Sequence, residues 1–283
     1  MLSYQHAYHA GNFADVHKHL LLHGVIDHLL RKETSITLID THAGRGVYSL
    51  AAEETSRLHE YRHGILPLWE SREELANHDE LLSDWLAAVA EVQPNDQRLS
   101  HYPGSPWWMG RRLRSQDRQL LFELHPGEHE HLAGQTLDGH VRTIHGDGLK
   151  GLVERLPVRT PRLCVLIDPS YELKQEYVEV ADTLSTTLRK ARHAVVMVWY
   201  PLLPAGRHHE LLEAVKAHGL HKVWRSELRL HEPGVGERGM YGSGMLVVNP
   251  PWGLDQRLAS AMARVAPLLS SEARYQGDWW VGE

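Results

Sequence analysis

The chain holds a single cysteine, Cys164, in 283 residues. An intrachain disulfide is therefore impossible, and a zinc site built on paired cysteines is excluded with it. Cys164 sits inside an apolar run and reads as a small buried hydrophobe. No apolar stretch reaches the roughly 20 residues that cross a bilayer. The first residues lack the basic and apolar regions of a secretory signal. These absences point to the cytoplasm and away from membranes. Internal repeats and low-complexity tracts are missing too. The charge balance is not basic: 30 Lys and Arg stand against 36 Asp and Glu, a net of −6. Proteins that hold nucleic acid by charge alone are usually basic. An RNA partner would have to be met through a local patch.

What is present begins with Arg162-Leu-Cys-Val-Leu-Ile-Asp168-Pro-Ser-Tyr171-Glu172. A short, continuous apolar run reads as a strand buried on both faces, as in a parallel sheet. Ligands of open α/β sheets bind just beyond the carboxyl ends of such strands. Asp168, the Pro169 carbonyl and the Tyr171 ring therefore stand where chemistry is expected. The exocyclic amine of adenine is a poor nucleophile, because its lone pair is delocalised into the ring. Asp168 and the Pro169 carbonyl can each accept one of its two N–H bonds. That turns the nitrogen toward tetrahedral and aims the lone pair at an electrophile. Pro fixes its own φ and restricts the residue before it. Tyr171 can stack on the base, a contact worth roughly 1–3 kcal/mol. The competing reading is a plain Pro turn with Asp168 as a helix cap.

An electrophile site is outlined upstream. Ser35-Ile-Thr-Leu-Ile-Asp40 is a second apolar run, followed by Thr41-His42-Ala43-Gly44-Arg45-Gly46. Strand, acid and G-x-G outline the first β-α turn of nucleotide-binding folds, and Gly44 lets the backbone pass close to a ligand. The third glycine of the dinucleotide fingerprint is absent, with Ser49 at its spacing. That disfavours NAD or FAD and fits S-adenosylmethionine (SAM), which has no pyrophosphate. Gln119 to Glu123 is a third run, and its closing acid can accept ribose hydroxyls. Val141 to His145 is a fourth, followed by Asp147 and Gly148; this acid can accept an adenine amino group. Taken singly, these are also an ordinary Gly-rich loop, a surface acid and a turn residue. The pattern lies in their sum: Asp40, Glu123, Asp147 and Asp168 each follow an apolar run.

This order of motifs resembles class I SAM-dependent methyltransferases that act on amines, whose signature is [D/N]-P-P-[Y/F/W]. Closer still, the opening Met1-Leu-Ser-Tyr4 through Gly11-Asn12, Asp15 and Lys18-His19 is similar to the RlmJ family, bacterial methyltransferases of adenine N6 in 23S ribosomal RNA. Asp40-Thr-His42-Ala-Gly44, Tyr102-Pro-Gly-Ser105-Pro106, Glu123-Leu-His-Pro126 and Gly244 to Trp252 resemble that family as well. The resemblance implies an α/β, Rossmann-like fold: a mostly parallel seven-stranded sheet with helices on both faces. It implies a last strand that runs antiparallel between the fifth and sixth. It implies SAM as cofactor, with Lys18, His19, His42, Ser105, Glu123, Asp147 and Gly148 lining its site. Asp168 matches the catalytic residue and Tyr4 a residue at the substrate entrance. One position departs: Ser170 stands where the family carries a second Pro. The expected consequence is a less firmly held Tyr171 and an altered rate.

Residues 1–283 read as one such domain, with a small helical insertion at approximately 51–104. Residues Asp15 to Leu30 read as an amphipathic helix with Val16, Leu20, Leu21, Val25, Leu29 and Leu30 on its apolar stripe. Trp85, Leu86, Val89 and Val92 mark an apolar face in the insertion, which either packs or touches RNA. Three later strands are expected at His193–Tyr200, Lys222–Leu230 and Gly244–Asn249. The Gly-rich stretch from Glu232 to Ser243 reads as a connecting loop able to close over a base. Candidate basic patches are Arg111, Arg112, Arg114 and Arg118, and Lys18 with Arg31 and Lys32. His17, His19 and His23, and His125, His129 and His131, raise a metal-dependent hydrolase as a rival; the missing paired cysteines count against it. The expected enzyme is a metal-free, monomeric methyltransferase of large-subunit ribosomal RNA. Alternatives are an adenine-N6 DNA methyltransferase, a protein glutamine methyltransferase and a non-catalytic RNA-binding module.

Overall fold

Two of the apolar runs become strands with no exposed face. All five residues of Ile36–Asp40 are buried, as are Leu163 to Ile167. The computed structural model describes residues 4–95, 98–135, 139–236 and 238–283. Residues 1–3 of the family-like opening and Glu237 of the Gly-rich loop lie outside the described residues.

The strands are β1 (Ile36–Asp40), β2 (Val47–Ser49), β3 (His101–Pro103), β4 (Arg118–Glu123), β5 (Val141–His145), β6 (Arg162–Ile167), β7 (Val195–Leu202), β8 (Val223–Arg229), β9 (Gly242–Val248) and β10 (Arg274–Val281). The helices are α1 (Phe13–Leu30), α2 (Glu53–Leu58), α3 (Ile65–Glu70), α4 (Arg72–His78), α5 (Glu80–Glu91), α6 (Ser105–Gly110), α7 (Pro126–Ala133), α8 (Gly148–Arg155), α9 (Glu176–Lys190), α10 (His208–Ala217) and α11 (Leu254–Leu269).

One sheet runs in the order β10-β8-β9-β7-β6-β1-β4-β5, and β2 pairs with β3 apart from it. β7, β6, β1, β4 and β5 are parallel neighbours. β9 lies antiparallel between β7 and β8, as the resemblance implies. The sheet has eight strands where seven were expected, because β10 adds an antiparallel edge to β8. Arg274-Tyr-Gln-Gly-Asp-Trp-Trp-Val carries two charges and a glycine and no apolar run. Its pairing is fixed across strands instead, where Arg225 donates from Nε to Asp278 Oδ1 at 3.0 Å.

Alternation along each central strand feeds two cores. Leu38, Cys164, Leu166, Met197 and Val247 face one side with α1, α5, α6 and α11. Ile39, Val165, Ile167, Val198 and Val248 face the other with α9 and α10. α1 corrects the amphipathic expectation. Every residue from Ala14 to Ile26 is buried, because the helix has β9 on one side and α5, α6 and α11 around it. The inserted helices supply part of that cover. Trp85 of α5 stacks on Trp108 of α6, centroids 5.8 Å apart and planes 5° from parallel. Burying such side chains contributes about 1.5–3 kcal/mol each. Among the described residues, no helix is long and apolar enough to cross a membrane.

Candidate active site

α1 places its polar residues at the carboxyl end of the sheet. Asn12 caps it by accepting the Asp15 N–H at 2.9 Å. The first turns then carry Asp15, Lys18 and His19 past the ends of β1 and β6. Asp15 accepts from the Gly11 N–H at 2.9 Å and bonds His6 Nε2 at 2.9 Å. Lys18 Nζ sits 3.1 Å from Asp15 Oδ1 and 2.5 Å from Asp168 Oδ2. One buried ammonium thus bridges two carboxylates. Burial works against the Lys18 charge, but Asp168 and Asp15 outweigh it and hold the amine above its usual range. Burial also opposes the Asp15 charge; His6, Lys18 and His19 overcome it and hold that carboxyl well below the ordinary range.

These groups open onto a cavity of about 290 Å³. Tyr4, Lys18, His19, His42, Gly44, Ser105, Glu123, Asp168 and Pro169 all line it. The structure therefore brings together nine of the residues singled out from sequence. Glu123 closes β4 and accepts the Gly44 N–H at 2.8 Å and the His125 N–H at 2.7 Å. Gly44 has φ +60, and a Cβ there would lie 2.3 Å from the Tyr48 hydroxyl. His42 is bonded through Nδ1 to the Thr41 hydroxyl at 2.8 Å, and burial pushes its pKa down to about 4. Burial likewise holds His19 well below the ordinary range, so its ring is neutral near pH 7. His19 bonds the Tyr102 hydroxyl through Nδ1 at 3.0 Å, while its buried Nε2 has no partner among the described residues. Tyr4 stacks on His9, centroids 5.6 Å apart, at the rim.

Three residues stand elsewhere. Asp147 caps α8, accepting the Lys150 N–H at 3.1 Å, and is not part of the cavity wall. Gly148 is pressed against the end of β1, where a Cβ would lie 1.9 Å from the Thr41 carbonyl oxygen. Tyr171 corrects the stacking expectation. Its ring is buried against Tyr177, centroids 4.4 Å apart, and its hydroxyl donates to the Trp199 carbonyl at 2.7 Å. The same contacts correct the expectation about Ser170: Tyr171 is firmly held without a second Pro. The ring that does face the cavity beside Asp168 is Trp199, whose centroid is 5.7 Å from Lys18 Nζ.

The first basic patch lies away from the cavity, and three of its four arginines are ion-paired. Arg111 pairs with Glu91, Arg112 with Asp27 and Arg114 with Asp117. Arg118 opens β4, beside Thr37 of β1, so the patch lies at the sheet end opposite the cavity. Arg31 and Lys32 lie there too, about 20 Å along α1 from Lys18 at 1.5 Å per residue. The His triplet on α1 points three ways: His17 bonds Ser226 and Ser243, His19 bonds Tyr102, and His23 meets the Trp108 ring edge-on. Sequence reasoning passed over His59-Glu60-Tyr-Arg-His63, which has H-E-x-x-H spacing. His59 is left-handed at φ 52 and Glu60–His63 is a 3-10 turn, so the two rings do not share an α-helical face. Glu60 is occupied by His9 and Asn12. No group of three or more potential metal ligands is found among the described residues. Sequence reasoning also left out Asp15, His6 and Trp199. The i, i+3 spacing of Asp15 and Lys18 was the available signal for the first.

Comparison with known proteins places the chain in a family. The family model described as Ribosomal RNA large subunit methyltransferase D, RlmJ, matches residues 33–281. The chain is 34% identical over 282 residues to Ribosomal RNA large subunit methyltransferase J of Haemophilus influenzae, covering 99% of this chain and 98% of that one. It is 35% identical over 275 residues to the protein of the same name from Escherichia coli, covering 96% and 94%. A crystal structure of a Legionella pneumophila protein superposes with a TM-score of 0.88 at 32% identity, over 96% of this chain and 98% of that one. The chain belongs to the RlmJ family of ribosomal RNA methyltransferases.

Proposed function

We propose that this chain methylates N6 of an adenine in 23S ribosomal RNA, with SAM as methyl donor. One observation carries the chemistry: Asp168 has its Oδ2 on Lys18, and its Oδ1 has no hydrogen-bond partner among the described residues. Oδ1 and the adjacent Pro169 carbonyl are the two acceptors an exocyclic amine needs. Lys18 fixes the carboxylate so that the open oxygen faces the cavity. The target base leaves its stack to reach it, at a cost of a few kcal/mol, less from single-stranded RNA. Trp199 offers the face on which the base rests, and Tyr4 stands at the entrance. As the new N–C bond forms, the amine proton becomes acidic and Asp168 Oδ1 is placed to take it.

The residues present fit the cofactor. SAM supplies a methyl already made electrophilic by its sulfonium. The unpaired His19 Nε2 is a buried polar atom suited to the amino-acid end of such a ligand. Glu123 has lone pairs left on both oxygens for ribose hydroxyls. The carboxylates of Asp168 and Asp15 favour a cation nearby. Asp147 and Gly148, off the cavity wall, are positioned to meet an adenine ring that extends past His42.

The single sheet draws strands from residues 36 to 281, which supports one Rossmann-like domain with 51–104 inserted. We take the enzyme to act as a monomer, and we place it in the cytoplasm. The test is transfer of tritiated methyl from SAM to large-subunit RNA lacking its modification, followed by nucleoside mass spectrometry. N6-methyladenosine is the expected product. Label on duplex DNA or on protein instead would select one of the rival methyltransferases, and RNA binding without SAM binding would leave only the non-catalytic module.

A further inference from the structure

Charge is distributed unequally between the two ends of the sheet. Consider the four adjacent strands β7, β6, β1 and β4. The segments entering them, from the last helical residue to the first strand residue, are 190–195, 155–162, 30–36 and 110–118. Together they hold eleven Lys and Arg against two acids, Glu33 and Asp117. The segments leaving the same strands are 202–208, 167–176, 40–47 and 123–126. They hold three Lys and Arg against five acids, among them Asp40, Glu123 and Asp168. The chain as a whole is net −6, so the basic end stands against the average.

The register makes the four basic segments one surface. Ile36 lies beside Arg162, Thr37 beside Arg118, and Cys164 beside Val195. Some of the cations have local work. Arg114 pairs with Asp117, and Arg114 and Arg162 donate to carbonyls at the end of α1. Lys190 donates to the Val153 carbonyl. Cations at helix C-termini are favoured by the macrodipole alone. Lys32, Arg118, Arg159 and Arg192 are different. All four are exposed, lie outside the helices, and have no acid within ion-pairing distance among the described residues.

Taking ribosomal RNA as the substrate, we infer that this basic end is a second RNA-docking surface, holding backbone phosphates of a segment separate from the one that enters the cavity. β6 spans the interval, so Arg162 and Asp168 are roughly 20 Å apart at 3.3 Å per residue. The Debye length is about 10 Å at 0.1 M salt, so the acids at the mouth do not cancel the charge at the other end. The acidic mouth offers phosphates little attraction. Affinity for a large folded RNA is then supplied at a distance, while the cavity supplies the choice of base.

The test is R118E/R159E/R192E, with R118A/R159A/R192A beside it should charge reversal impair folding; unchanged SAM affinity by calorimetry verifies the fold. Two probes are used: deproteinised large-subunit RNA lacking the modification, and the shortest fragment of it that the parent chain methylates. For the full RNA, KM should rise on the order of tenfold with kcat unchanged. The slope of log affinity against log salt should fall by up to about three, since each phosphate contact contributes about 0.9. KM for the short fragment should not move. Unchanged affinity and slope on the full RNA would overturn the second surface. Equal losses on both probes would overturn its separateness from the target segment. A parent chain that binds the full RNA but does not methylate it would refute the enzymatic reading instead, and the salt slope would still report on the patch.

Discussion

Lys18 Nζ and Asp168 Oδ2 are 2.5 Å apart, 150 residues distant in sequence, and neither is more than slightly exposed. The pair fixes one oxygen of the carboxylate and leaves the other without a hydrogen-bond partner among the described residues. Asp168→Asn keeps the shape and removes the charge. Its amide either gives its oxygen to Lys18, which turns its NH₂ toward the amine it should accept from, or sets its NH₂ against the Lys18 ammonium. We expect kcat to fall by ~10²–10⁴, the range for loss of a positioned acid or base, with SAM affinity largely kept. Near-normal single-turnover methylation by this variant would remove Asp168 from the mechanism.

Lys18→Met tests the same contact from the other side. It leaves Asp15 and Asp168 buried near each other with no cation between them. Breaking a buried pair by deleting one partner costs about 3–5 kcal/mol. Chemical denaturation at pH 7 should show a loss of that order. The loss should shrink in acid, where the carboxylates can be neutralised. A variant as stable as the parent at pH 7 would mean the ammonium is not compensating them.

The aromatic residues separate by role. Tyr171→Phe removes the 2.7 Å bond to the Trp199 carbonyl and nothing that faces the cavity. It should cost about 0.5–1.5 kcal/mol of stability and leave KM for RNA alone. Trp199→Ala should do the reverse. Lost stacking is worth roughly 1–3 kcal/mol, a KM rise on the order of ten- to a hundredfold. If Tyr171→Phe and Tyr171→Leu raise KM while Trp199→Ala does not, the base rests on Tyr171 after all.

The sequence was most legible where burial was two-sided. β1, β4 and β6 are apolar runs because helices cover both faces, and each leads into an acid; Glu123 and Asp168 line the cavity, while Asp40 is fully buried. β10 was invisible for the opposite reason. An edge strand half exposed to solvent needs no apolar run, and only its pairing with β8 defines it. α1 looked amphipathic because its buried polar residues are Asp15, His17, Lys18, His19 and His23. Periodicity cannot distinguish a polar group facing water from one facing a polar partner. Tyr171 was misplaced because a motif specifies residue types and not rotamers. Trp199 stood unmarked inside an apolar strand.

Glycine at 148 is a packing requirement with a sharp threshold. The start of α8 crosses the end of β1 so closely that a Cβ would sit 1.9 Å from the Thr41 carbonyl oxygen and 2.6 Å from its carbon. Both atoms are backbone and cannot swing away. Gly148→Ala must push α8 off the sheet or shift the Thr41-His42 turn that shapes the cavity. Overpacking costs typically 1–3 kcal/mol, occasionally more. We expect a loss at or above that range together with weakened SAM binding, because the displaced turn carries His42. A Gly148→Ala protein with parental melting temperature and SAM affinity would show that the approach is looser than it stands.

Asp40 gives the fold a pH signature of its own. It ends β1 fully buried, and burial pushes its pKa from 3.8 up to about 7, with the nearby Ser105 offsetting only part of the effect. The folded state therefore holds a proton that the unfolded chain has already released, across the window from about pH 4 to pH 7. In that window the folded state binds more protons than the unfolded one, so stability falls as pH rises. The interval of about three pK units corresponds to roughly 4 kcal/mol. Asp40→Asn keeps the oxygen that accepts the His42 N–H, 3.2 Å away in the parent, and cannot ionise. Parent and variant should be equally stable near pH 4. Above pH 7 the variant should be the more stable by a few kcal/mol, with the gap opening between those limits in paired urea titrations. A gap that stays constant from pH 4 to pH 8 would show that Asp40 is ionised throughout.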